Sequence, residues 1–173
     1  MGAITKQRVE VSVNVMERSV TYMANTLFQL AFKIARERGL PPDYITANRD
    51  ILERGFFTWL AEQTLQSLHF EIVSPDSRKA LERWDVSFDY SADPDPDVRK
   101  PPIEELASVC KKLRSLPHGT YYRILVTTKP GASKVEGWYD TSFMPFTASR
   151  KEALPGWGYG NIGANLWYRE GTW

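Results

Sequence analysis

The residues best suited to chemistry in this 173-residue chain are few and scattered. His69 falls on the polar side of the alternating stretch 68–73 (LHFEIV), and the other histidine, His118, sits in a Pro-His-Gly turn. A metalloprotease helix needs a second histidine four residues away, and a common serine hydrolase needs G-x-S-x-G; the chain has neither. Cys110, the lone cysteine, lies on the apolar stripe of a predicted helix and reads as a small buried hydrophobe, not a nucleophile. Glu71, Asp85 and Asp89 occupy polar strand faces. An acid-dependent hydrolase would need them to converge on a cationic or oxyanion-stabilising partner, and their spacing supplies none.

Two patterns imitate ligand sites. Asp93, Asp95, Asp97 and Glu104 have the spacing of a calcium-binding loop, but Val98 stands where that loop needs glycine, and prolines fill two ligand-flanking positions. A solvated acidic loop ahead of a helix explains them better. Gly158, Gly160 and Gly163 spell G-x-G-x-x-G, yet a dinucleotide fold would need a following helix and an acidic residue about twenty positions on, and the sequence stops ten residues later. No catalytic residue, metal or cofactor is therefore expected.

The elements that would position such groups begin with residues 19–38. Val20, Met23, Ala24, Leu27, Leu30, Ala31, Ile34 and Ala35 repeat at helical spacing, with Ser19 as the expected N-cap and Gly39, Pro41 and Pro42 as stops. Arg36 and Arg38 suit the helix dipole and need no other role. Residues 8–16 (RVEVSVNVM) alternate strictly and predict a strand. Further helices are expected over 49–67, where Gly55 either weakens the helix or marks a close approach to the first one, and over 103–116. Strands are expected over 68–73, 84–90, 120–128 and 135–139, the last two joined as a hairpin by Pro130-Gly131; 91–102 is expected to be irregular because of its prolines.

Composition excludes several partners. The formal net charge of +1 gives no field suited to nucleic acid or an anionic membrane, one cysteine forbids an internal disulfide, and no run is apolar enough to span a bilayer. A single domain in a reducing cytoplasm is the expectation, with residues 1–8 as a mobile tail, 9–140 as core and 141–173 as a separate segment. From Asp140 onward no period holds, although the stretch is rich in glycine and carries Trp157, Tyr159, Trp167 and Tyr168. Such a segment either covers an open sheet face or closes over a guest, with rings as anchors and Leu166 among them. In the second reading Val135, Glu136, Gly137, Trp138 and Tyr139 form the last hairpin strand and offer a free edge to an extended peptide.

The order of elements resembles a HORMA domain, an α+β fold of three helices on an antiparallel sheet with a C-terminal safety belt. The similarity is strongest to bacterial HORMA proteins of CBASS anti-phage operons, carried by 19–25 (SVTYMAN), Arg38-Gly39-Leu40, Glu53-Arg54-Gly55, Thr58-Trp59-Leu60, 68–72 (LHFEI) and Trp84-Asp85-Val86. The resemblance implies a non-catalytic adaptor that traps a closure peptide under its belt. It further implies binding and activation of a CD-NTase cyclic-oligonucleotide synthase, and resetting by a TRIP-type AAA+ ATPase that pulls on the amino terminus. An alternative within the family is a scaffold that supplies its own N-terminus to a sister HORMA protein.

Overall fold

A computed structural model describes residues 2–173, apart from the side chains of 2–16 and of 92; residues 2–8, expected as part of a mobile tail, are helical and open the first helix. The elements in chain order are α1 (Gly2–Glu37), α2 (Asp43–Ala47), α3 (Arg49–Ala61), β1 (Leu65–Val73), β2 (Ala80–Arg99), α4 (Ile103–Lys111), β3 (Tyr121–Thr128), β4 (Ala148–Ala153) and β5 (Trp157–Gly171). The described strands form one antiparallel sheet in the order β3-β1-β2-β5-β4.

The apolar stripe of α1 is buried as its spacing predicts: Met23, Ala24, Leu27 and Ala35 are fully enclosed. The helix ends at Gly39, which takes a left-handed φ of 69° while the Leu40 amide donates back to the Ala35 carbonyl at 2.8 Å. Its start differs from expectation. Ser19 is not an N-cap but lies buried well inside α1, and residues 8–16 continue the helix instead of forming a strand. Alternation makes a strand only where a neighbour completes the ladder, and none of the five described strands recruits this segment. Arg38 does more than complement a dipole: its buried guanidinium pairs with Glu82 of β2 and donates to the Arg114 carbonyl at 2.7 Å, tying α1 to the sheet and to the end of α4.

Three further expectations are corrected. The 49–67 helix stops at Ala61, because Gln63 turns the chain with φ 58° and β1 begins at Leu65. Strand β2 runs on through Pro94 and Pro96 to Arg99, where the ladder to β5 thins to Asp95↔Gly160 and Arg99↔Gly158 between register shifts, so a missing donor does little harm. Most consequentially, the aromatic, glycine-rich end is not irregular: it is the β4–β5 hairpin. Strand β5 lies beside β2 and buries Trp157, Ile162, Leu166 and Tyr168 completely or nearly so in the common core. Its glycines admit the backbone, since a Cβ at Gly158 would come within 2.4 Å of the Ile162 carbonyl oxygen.

Candidate functional site

The hairpin pairing of β4–β5 with β2 leaves β3 as one edge of the sheet. Its inner row, Tyr122, Ile124 and Val126, packs on the core but stays half-buried, as expected for a strand with a neighbour on one side only. Residues 135–139, expected to pair with β3 in a hairpin, are not a strand at all. They belong to a strap, residues 129–147, that joins β3 to β4.

The path of this strap is fixed by hydrogen bonds at both ends. It leaves β3 with the Lys129 amide on the Thr64 carbonyl, then runs along α3. There the Trp59 indole donates to the Ser133 carbonyl, Glu62 accepts from the Ser133 amide and hydroxyl, and the Trp138 indole donates to the Ile51 carbonyl at 2.8 Å. Trp138 stands edge-on to Trp59, with centroids 5.1 Å apart, over the bare backbone of Gly55. The close approach that glycine allows is thus to the strap, not to α1. Beyond the fully accessible ring of Tyr139, 86% exposed, the chain turns onto the opposite face of the sheet. Arg123 of β3 donates to the Thr141 hydroxyl and the Ser142 carbonyl, both at 2.9 Å. The Met144 amide donates to Glu71, and the Ala80 amide donates to the Pro145 carbonyl at 2.9 Å. The strap therefore starts in the helix layer, rounds the β3 edge and ends on the outer face. An extended segment lying along β3 would sit inside that loop.

The outer face beneath the strap is polar. His69 Nδ1 donates to Asp85 at 2.5 Å, and its Nε2 lies 2.9 Å from the Ser67 hydroxyl and 3.1 Å from that of Thr127, linking three strands. Burial disfavours charge on Asp85, but hydrogen bonds from His69 and from Arg169 at 2.6 Å outweigh it and hold the carboxyl below its ordinary range. Serine, histidine and aspartate thus come together here, where spacing alone had not aligned them. However, both hydroxyls share one ring nitrogen, Arg169 occupies the second aspartate oxygen, and the strap's Phe143 stands edge-on against the imidazole with centroids 4.8 Å apart. The cluster reads as a cross-strand lock under the strap. Asp89, on the same strand as Asp85, shares none of these hydrogen bonds. Among the described residues no group of three His, Cys, Asp or Glu side chains could hold a metal ion, and no helix is long and apolar enough to cross a membrane. Burial pushes the Cys110 thiol up to about 12.

The ten residues named from sequence fall into two sets that the fold keeps apart. Val135, Glu136, Gly137, Trp138 and Tyr139 lie on the strap, with Val135 buried and Trp138 anchored on α3. Trp157, Tyr159, Leu166, Trp167 and Tyr168 lie on β5: Trp157 donates to Thr26 of α1 at 3.0 Å, Tyr159 meets Tyr22 edge-on, Tyr168 packs on Trp84, and Trp167 sits under Lys151. The edge strand itself, with Tyr122, Ile124 and Val126, went unnamed. The strand expected over 120–128 is present, but the expected pairing with 135–139 is absent, and that absence is what opens its edge.

No curated protein sequence matches this chain. Solved structures do, at identities that speak for the fold alone. A chain of the mitotic checkpoint complex superposes with a TM-score of 0.74 at 13% identity, covering 91% of this chain and 97% of that one. C. elegans HTP-1, solved bound to the HIM-3 closure motif, gives 0.74 at 12% identity over 90% of this chain and 91% of its own. The E. coli MS115-1 CdnC:HORMA-deltaN complex gives 0.61 at 12% identity over 90% of each chain. The model of the family described as bacterial HORMA domain 2 matches residues 8–166. With helices on one face of an antiparallel sheet and a C-terminal hairpin completing it, this chain belongs to the bacterial HORMA domain 2 family.

Proposed function

We propose that the protein is a peptide-clamping adaptor without chemistry of its own. An extended closure peptide adds to the free edge of β3, its main chain completing the ladder and its alternate side chains covering Tyr122, Ile124 and Val126. The observation that carries this reading is the path of the strap around that edge, from Ile51 on α3 to Arg123 and Glu71 on the outer face. In this reading 141–173 is the safety belt, Val135 to Tyr139 form its anchor on α3, and the rings of β5 seat it against α1 and β2. The relative solved with a closure motif and the one solved with CdnC support the same reading. The closed form binds and activates a CD-NTase synthase in anti-phage defence in the cytoplasm, and a TRIP-type AAA+ ATPase reopens it by pulling on residues 1–8.

Panning displayed short random peptides against the full chain tests the clamp. Enrichment of alternately apolar peptides, lost when Ile124→Pro blocks the edge strand, supports it. Equal enrichment on both proteins removes the β3 edge from consideration. Co-purification of a co-expressed CD-NTase, with and without a selected peptide, then tests activation. A second reading has one specific support: the valines at 9, 11, 13 and 15 form an alternating strip that the sheet leaves unused, suited to serve as the strand donated to a sister HORMA protein.

A further inference from the structure

The structure assigns Glu71 as the positioning residue that latches the strap across the sheet, an inference that rests on the clamp reading but is measurable without any peptide. Glu71 lies on β1, between the edge strand and β2, and its side chain is 0% exposed. Two of its partners come from the sheet on either side: Arg83 Nη2 at 2.6 Å from β2 and Arg123 Nη1 at 3.2 Å from β3. The third comes from the strap, where the Met144 amide donates to the carboxylate at 3.2 Å. Arg83 also donates to the Met144 carbonyl at 3.2 Å, so this residue of the strap is gripped at both its N–H and its C=O.

The charges do more than satisfy one another. Arg83 lies 4.5 Å from the ring centroid of Phe143 and 4.7 Å from that of Phe146, so the two aromatics flanking Met144 and Pro145 pack on the same guanidinium. Arg123, held in place by Glu71, reaches the strap at Thr141 and Ser142. Every polar contact that this stretch makes with β1, β2 or β3 short of Pro145 thus comes from Glu71 itself or from an arginine bonded to it. A buried carboxylate with cationic partners on both sides loses its arrangement if one member goes, and a carboxamide cannot accept from two guanidiniums and an amide at once. The outer end of the strap should then come free while the Trp138 end stays anchored on α3.

Amide hydrogen exchange on the full chain reads this directly. Glu71→Gln is expected to speed exchange at residues 142–144 and 146 by about tenfold or more, the worth of one charge-assisted hydrogen bond, with α1 and β5 changed by less than about twofold. Unchanged protection of the strap, or a uniform rise through the whole chain, would overturn the assignment, the latter because it makes Glu71 a prop of the fold only. Met144→Pro removes the strap's donor and leaves the Glu71–Arg83–Arg123 pairs intact. It should give the same selective rise, and it decides the matter should Glu71→Gln fail to fold. Failure of peptide capture with a positive exchange result refutes the clamp and leaves the latch standing.

Discussion

Replacing Gly55 by alanine sets a local rule against a tertiary contact, and the sign of the result decides between them. Helix propensity alone predicts that Gly55→Ala stabilises α3 by about 1 kcal/mol. In the structure the added methyl would lie 2.5 Å from Nε1 and 2.7 Å from Cε2 of Trp138, and 2.8 Å from Cζ3 of Trp59. Both obstacles are rigid indoles, so one ring must move. Displacing Trp138 breaks its hydrogen bond to the Ile51 carbonyl, worth about 0.5–1.5 kcal/mol, and forcing a methyl into a packed site adds roughly 1–3 kcal/mol. After the propensity gain, a net loss of about 0.5–3.5 kcal/mol remains. Urea unfolding followed by circular dichroism measures it, and the thermal midpoint should fall by roughly 2–4 °C for each kcal/mol. In a Trp138→Ala background the nearer ring is gone and Trp59, with Cζ3 at 2.8 Å, has the vacated slot to move into, so the same substitution should cost clearly less than in the parent. A stabilised single variant, or an equal cost in both backgrounds, would refute the claim that this glycine seats the strap.

Two further outcomes follow from buried groups. Cys110, 4% exposed with its thiol pushed up to about 12 by burial, should resist a thiol-specific disulfide reagent at pH 8 in the folded protein and react promptly in denaturant; rapid labelling of the native chain would contradict its placement in the core. The Asp85 carboxyl is held below its ordinary value in the folded state, so on acidification the unfolded chain takes the proton first. Its contribution is present above about pH 4 and is lost as the pH falls through the lower folded value. The urea midpoint should therefore drop more steeply with acidification below that point in the parent protein than in Asp85→Asn, and parallel curves would argue against the lock with His69 and Arg169.

The part of the fold that could be read from residue order is the part governed by local periodicity. The stripe from Met23 to Ala35, the Gly39 stop and the alternation around Phe70 and Trp84 each state which face turns inward, because burial of an apolar row stabilises only one orientation. Locally, however, the valines at 9, 11, 13 and 15 state a strand as clearly as any other stretch. They form none, because a strand exists only with a partner and the sheet offers them no place. The errors at the site have the same origin. Residues 157–171 look structureless because their glycines weaken every local preference, yet β2 supplies a ladder and α1 a cover, and fifteen residues become a central strand. Residues 135–139 look like a strand and become an anchor, since Trp138 gains more from a slot over Gly55 than from an exposed edge.

What the sequence determined by itself was an α+β chain with helices on a sheet and an aromatic end that must be covered. Which edge stays open was beyond it. That depends on which side of β2 the C-terminal hairpin pairs and on where Glu71, Arg83 and Arg123 meet the strap, and these are contacts between residues distant in sequence whose free energy no local pattern records.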